Sequence, residues 1–247
     1  GTALADAFTE RFRELGGSMV LGSSVRKIEV DGRRVTGVIM EGGEKLAADA
    51  IVAAVHPGVL AGLLAENALR ASQRERISSL RDTEGVIVVH ATVGASECPA
   101  TEHNIYRLHH DLHGVITDGI FYQVRSCDNG TSLLSAITRS EYGNWSRWED
   151  TVSGRRGTVY EEKKQRAASE IIDRAADVFG PLENFRILDV FTPLTVRDYV
   201  NCPRGACYGL LRSAGQLMKI ASVSRLSVGG LFSAGQNKVA PGLLGSI

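Results

Sequence analysis

The residues best suited to chemistry gather near the C-terminus, in Gly229-Gly-Leu-Phe-Ser-Ala-Gly-Gln-Asn-Lys-Val-Ala-Pro-Gly-Leu-Leu-Gly-Ser-Ile247. This order predicts a short buried strand over 230–234, a turn at Gly235-Gln236, a polar loop, and a helix opened by Pro241-Gly242. Glycine lets backbone approach a flat or charged group. Proline suits a first helical position, where its missing N–H would be unpaired anyway, and a helix N-terminus aims free N–H groups at negative charge. Such a stretch could hold a phosphate or a flat ring through backbone alone. A strand-turn-helix connection without a ligand fits the same pattern.

Two further groups carry suggestive residue types. His103, His109, His110 and His113 stand around Asp111. Imidazole and carboxylate are good metal ligands, but His109 and His113 would share a face only on a helix, and Gly114 with β-rich flanks points to a loop. No cysteine lies at ligand spacing, so a solvated loop without a metal is expected. Tyr208-Gly209 combines a flat apolar face and a donor with a flexible neighbour; it could line a substrate chamber or be a core aromatic beside a tight turn. Arg197 and Arg204 read as surface or ion-pair residues. No Ser-His-Asp set, paired-carboxylate site or phosphate loop is present, so no catalytic acid or base is assigned.

The chain that must position these residues has 247 residues, 43% of them hydrophobic, with 28 basic and 28 acidic side chains. That is enough for a sizeable core, and the balanced charge gives no footprint for nucleic acid. No apolar run reaches the length of a membrane span, and no signal-peptide pattern opens the chain. Cys98, Cys127, Cys202 and Cys207 lack Cys-x-x-Cys spacing and are expected as reduced thiols of a cytoplasmic protein. Asn129-Gly-Thr and Asn144-Trp-Ser match the glycosylation sequon and are read as chance.

Leu4, Ala5, Phe8, Phe12 and Leu15 recur at helical spacing behind Thr2, and Gly16-Gly17 ends that helix. Residues 19–21 are expected as a short strand. Alternating apolar residues on both sides of Asp31-Gly32 predict a hairpin, followed by a third strand near 44–46. The apolar run 49–55 predicts a strand buried on both faces, stopped by His56-Pro57. Helices follow over 57–65 and 72–80, then strands over 85–93, 104–108, 119–125 and 132–140, with a turn at 128–130. Strands without intervening helices imply an antiparallel sheet. A helix over 159–179 ends at Gly180-Pro181, and 185–191 reads as a strand returning to the first domain.

Gly230, Leu231, Phe232, Gly235, Gln236, Gly242 and Gly245 resemble the last FAD-binding motif of the phytoene desaturase, carotenoid isomerase and retinol saturase family, flavoproteins of the amine-oxidase-like superfamily. Thr192-Pro-Leu-Thr195 followed by Pro203-Arg-Gly-Ala206 and Tyr208-Gly209 is a second match, to the retinol-saturase-like branch, where Gln replaces the acid many relatives carry at the position of Gln236. The resemblance implies an α/β fold: a partial FAD/NAD(P)-binding domain from 1–60 and 183–247, plus an antiparallel-sheet α+β substrate domain over 61–182. It implies that Gly235-Gln236 faces the phosphate and ribityl chain of FAD. It also implies that the backbone of Gly242, Leu243 and Leu244 lies against the flavin ring, and that Val25 passes the adenine. The family's loop after the buried strand often reads Asn-Ala-Asp-Pro; here it is Ala54-Val55-His56-Pro57.

The function implied is FAD-dependent desaturation, saturation or isomerisation of C=C bonds in an apolar, polyene or isoprenoid-like small molecule. Such a substrate suggests peripheral membrane contact, though no amphipathic basic helix shows one. A flavin amine oxidase is the alternative enzyme, which an aromatic cage would favour; a non-catalytic binding protein that keeps the fold is the third reading. The dinucleotide fingerprint Gly-x-Gly-x-x-Gly is absent from the chain. The chain is therefore expected to be a piece of a longer flavoenzyme that on its own holds FAD weakly or not at all.

Overall fold

The computed structural model describes residues 2–223, 226–238 and 241–242. The chain opens with α1 (Thr2–Glu14), the antiparallel strands β1 (Val25–Asp31), β2 (Arg34–Met40) and β3 (Lys45–Ala47), and the short β4 (Ile51–Ala53). Helices α2 (Pro57–Leu63) and α3 (Ala71–Ser78) lead to β5 (Gly85–Gly94), β6 (Ile105–His110), β7 (Ile116–Ser126) and β8 (Thr131–Ser140). Then come α4 (Thr158–Phe179), β9 (Phe185–Phe191), α5 (Pro193–Val200), α6 (Ala214–Val223) and β10 (Leu231–Ser233). Among the described residues no helix is long and apolar enough to cross a membrane.

The larger core belongs to a five-stranded antiparallel sheet in the order β6-β7-β8-β5-β9. Strict alternation along β5 turns Ile87, Val89, Ala91 and Val93 inward. The helix α4 covers them because Ala168, Ile171, Ile172 and Ala175 recur every three or four residues on one face. Trp145 is buried beside this helix, with its Nε1–H donating to Ser140 Oγ at 2.9 Å. Gly180, at φ +82°, ends α4.

The smaller core lies between the β1–β2–β3 sheet, the parallel pair β4–β10 and the helices α2, α3 and α6. Asp31-Gly32 makes the expected hairpin, with Asp31 paired to Arg34. The hairpin end is stitched to the approach of β10: Val35 N–H donates to Gly229 O at 2.9 Å, and Gly229 N–H to Arg33 O at 2.6 Å.

Several expectations are corrected. Residues 19–21 form no strand, and Val20 and Leu21 are 63% and 78% exposed, with no strand beside them among the described residues. The run 49–55 contributes only the three residues of β4, and it is buried on one face. Ala53 and Leu231 face the core, while Val52 and Phe232, partners in register, are 68% and 55% exposed. Strand β9 does not return to the parallel pair. It pairs antiparallel with β5, Val89 opposite Val190, because its Val190, Ile187 and Phe185 fit the sheet's covered face. His109 and His110 end β6, so they stand on a strand; Asp111 caps the following turn, its Oδ1 accepting the His113 and Val115 N–H groups. Residues 193–200, not assigned from sequence, form α5, opened by Pro193 and by reciprocal Thr192–Thr195 capping.

Candidate cofactor and substrate site

The parallel strands β4 and β10 end side by side at Ala53 and Ser233. Ligands of α/β sheets gather beyond the carboxyl ends of such strands. There the Ala234 N–H donates to Ala53 O at 3.0 Å, Gly235 turns the chain with φ +86°, and the Lys238 N–H closes the turn on Gly235 O at 3.0 Å. Among the described residues, the N–H groups of Gly235, Gln236 and Asn237 meet no acceptor. Three successive free amides at a left-handed glycine make a concavity of positive partial charge, suited to an anion.

The turn is clamped from behind. Asn237 is buried, and its Oδ1 accepts the Leu210 N–H at 2.9 Å. Gly209, at φ +64°, makes room for it: a Cβ there would sit 2.0 Å from Asn237 Oδ1. Arg212 Nη2 donates to Gln236 O at 2.5 Å. The same 206–211 run lies antiparallel to the entry of β5, with Thr83 N–H on Gly209 O at 2.8 Å and Leu211 N–H on Arg81 O at 2.9 Å. The buried Gln216 locks that crossing, accepting from Arg81 N–H and donating to Arg81 O, both at 2.8 Å. The turn is thus connected, bond by bond, to the entry of β5 in the large sheet.

A crevice of about 110 Å³ opens beside the turn, lined by Ala54, His56, Val200, Cys202, Gln236 and Asn237. His56 Nδ1 accepts the Gly58 N–H at 3.1 Å, capping α2, so its proton sits on Nε2 and is donated to Asp82 Oδ1 at 2.8 Å. Both ring nitrogens are engaged, and the departure from the family's Asn-Ala-Asp-Pro loop therefore has a structural use. Burial, then the neighbouring Asp82 and Cys207, push the Cys202 thiol up to about 11. It stays protonated and unreactive in the folded protein.

The open face of the large sheet continues from this crevice. Phe191, Val88, Ile137, Phe121 and Tyr106 fall in register across β9, β5, β8, β7 and β6, forming one apolar row. Tyr106 meets Phe121 edge to face with ring centroids 5.0 Å apart. At the β9 end of the row lies a cavity of about 620 Å³, which shares Val200 with the crevice. At the other end a cavity of about 250 Å³ is lined by Tyr106, Leu108, Phe121 and Ile137.

Of the residues singled out from sequence, Gly235 and Gln236 form the turn itself. Gly209 stands directly behind it. Tyr208 is exposed, and its phenol is pushed up by Cys207, by burial and by Tyr106. Val25 begins β1, half-buried opposite Met40, at the end of the hairpin away from Gly229. Pro241 and Gly242 form a bend with Gly242 at φ +87°, so the expected helix does not open at these two residues; Leu243, Leu244 and Gly245 lie outside the described residues. Arg197 is an ion-pair residue as expected, held by Asp198 Oδ1 at 2.8 Å, and Arg204 stacks its guanidinium 6.0 Å from the Tyr142 ring centroid. Asn237, Gln216 and Arg156 were not read from sequence, because their importance rests on burial that only the fold creates. Among the described residues no three His, Cys, Asp or Glu side chains gather as a metal site.

The sequence profile of the family described as "Flavin containing amine oxidoreductase" matches residues 2–140. The chain is 30% identical over 122 residues to an all-trans-retinol 13,14-reductase of Macaca fascicularis, covering 48% of this chain and 20% of that protein. The Homo sapiens protein of the same name is 27% identical over 122 residues. The chain therefore spans about a fifth of the length of these relatives. Among solved structures, an oxidoreductase from Methanosarcina mazei superposes with a TM-score of 0.63 at 14% identity, over 98% of this chain and 50% of that one. Putrescine oxidase bound to putrescine gives 0.57 at 16% identity, over 93% of this chain and 46% of that one. At such identities the structural likeness speaks for the fold.

Proposed function

The chain belongs to the family of flavin containing amine oxidoreductases, and from that premise we propose that the Gly235–Asn237 turn receives the phosphate of FAD. The observation that carries this reading is the set of three amides, at the ends of β4 and β10, that meet no acceptor among the described residues. They would hold an anion through backbone donors, at the position that the α/β rule gives for ligands. The bound flavin supplies hydride transfer. The residues of this chain bind, orient and desolvate. Gly209 and Asn237 fix the turn, Gln216 and Thr83 fix its distance from β5, and the apolar row of the open sheet face would desolvate a substrate laid on it.

The substrate we infer is an apolar polyene or isoprenoid-like molecule laid along the Phe191-Val88-Ile137-Phe121-Tyr106 row, undergoing desaturation, saturation or isomerisation of C=C bonds. Support comes from that row and from the retinol reductases among the relatives. The units we propose are a cofactor side formed by 1–60 with the segment beyond α5, and a substrate side that includes β9. Val25 near the adenine and Tyr208 in the chamber complete the assignment. A polar amine is the second reading, favoured by the Tyr106–Phe121 edge contact as one wall of an aromatic cage.

Visible absorption spectra of the full-length protein and of this chain, each supplied with FAD, test the reading. Flavin bands are expected in the full-length protein and weak or no retention by this chain. Absence of bands from the full-length protein overturns it. Turnover of polyenes against amines in the flavin-loaded protein then separates the two substrates.

A further inference from the structure

The cavity of about 620 Å³ at the β9 edge has one polar wall that an apolar substrate does not explain. Its lining includes the apolar Val88, Phe191, Val196 and Tyr199, and the buried Arg156. The Arg156 side chain is only 3% exposed. One of its nitrogens, Nη2, donates to Asp198 Oδ2. That carboxylate is not Arg156's alone, because Asp198 Oδ1 takes both Nε and Nη2 of Arg197 at 2.8 Å. Two guanidinium cations thus share one anion. Arg156 Nε is buried with no partner, and Nη1 meets no acceptor among the described residues. The Tyr160 ring, 5.2 Å from the guanidinium carbon, is the remaining contact that favours the charge.

A buried cation with donors unmet is unfavourable until an anion completes it. The other charged groups at the cavity do not do so. Glu161 is held by Lys164 at 2.9 Å, and Asp189 is exposed, its Oδ1 accepting the Val190 N–H at 2.7 Å. We propose that this cavity binds the carboxylate head of an amphipathic ligand, with Arg156 as the anchor and the apolar chain running from Val88 and Phe191 along the row of the open sheet face. The site selects an apolar acid over the corresponding alcohol or ester, and rejects an amine, because planar guanidinium matches carboxylate and repels ammonium. The proposal deepens the substrate reading above and rests on it for the direction in which the chain lies.

Fluorescence titration of this chain with cis-parinaric acid, a polyene carboxylate, and with its methyl ester tests the assignment. The acid is expected to bind roughly tenfold tighter than the ester, as one charge-assisted pair implies. Arg156→Met should remove the preference and Arg156→Lys restore part of it. Arg156 also supports the fold through Asp198, so Val196→Trp provides an independent arm: it fills the cavity without touching the ion pairs and should weaken acid and ester together. Equal binding of acid and ester by the unaltered chain, or acid binding indifferent to Val196→Trp, overturns the proposal. Acid selectivity in this chain, together with a full-length protein that shows no flavin bands, upholds the cavity and removes the flavin reading. Flavin bands in the full-length protein with no acid selectivity in this chain remove the cavity proposal alone.

Discussion

The two halves of this molecule solve the burial problem differently. The five-stranded sheet is closed on one face by α4, and its inward residues Val89, Ala91, Leu134 and Ala136 are fully enclosed. The parallel pair β4–β10 has one covered face and one bare one, where Val52 and Phe232 stand side by side in the open. Parallel strands are ordinarily covered on both faces. The helix α1 repeats the pattern, with no residue buried and Leu4, Phe8 and Phe12 exposed along one side. The half that carries the candidate cofactor turn is therefore the less self-sufficient half. Its cofactor turn is held by a few polar clamps beside the smaller core, whereas the sheet half depends on packed volume.

The sharpest way to break the sheet half is to empty its core. Trp145→Ala removes a buried aromatic together with its bond to Ser140, and should cost about 3–5 kcal/mol in denaturant unfolding. On the other side the comparable lesion is a single methyl group. Gly209→Ala places Cβ against Asn237 Oδ1 at a residue with φ +64°, and should destabilise by about 2 kcal/mol or more. The loss should fall on the 206–238 clamp and leave the slow-exchanging amides of β5 and β8 untouched. Asn237→Ala is milder: it strands the buried Leu210 N–H, for about 1–3 kcal/mol.

Thiol labelling compares the halves without mutation. Burial raises both Cys98 and Cys202 to about 11, so at pH 8 neither carries much thiolate in the folded state, and both must be uncovered to react. Exposed Cys127 should label first, Cys202 next as the clamp opens, and Cys98 last, with the sheet. Equal rates at Cys98 and Cys202 would mean that the two halves open as one unit. The smallest expected effect is at the bare face: Phe232→Ser should shift stability by no more than about 0.5 kcal/mol, while reducing any self-association measured by light scattering.

Local signals carried much of this architecture. Asp31-Gly32 announces its hairpin because the turn residues are specific, and α4 announces itself because four inward residues share one helical face. The errors share a different cause. The run Ile51-Val52-Ala53 reads as doubly buried from composition, but burial depends on what lies against each face, and only one face is covered. Strand β9 reads correctly as a strand, yet its partner is β5, a pairing between segments distant in sequence that periodicity cannot encode. At the site, Gly235-Gln236 was legible as a turn. Asn237 was not, since an asparagine in a polar loop looks solvated until Leu210 presents its N–H. Arg156 was silent for the same reason: its unmet donors exist only once Asp198 is shared with Arg197.

The central claim is that the amides of Gly235, Gln236 and Asn237 form the phosphate-binding part of the FAD site. The most direct measurement is an amide-resolved NMR titration of this chain with FAD up to millimolar concentration, where weak binding still registers. The account predicts saturable shifts centred on those three amides and extending to Ala54 and Leu210. Shifts that map elsewhere, or none at Gly235–Asn237 across the titration, would contradict it.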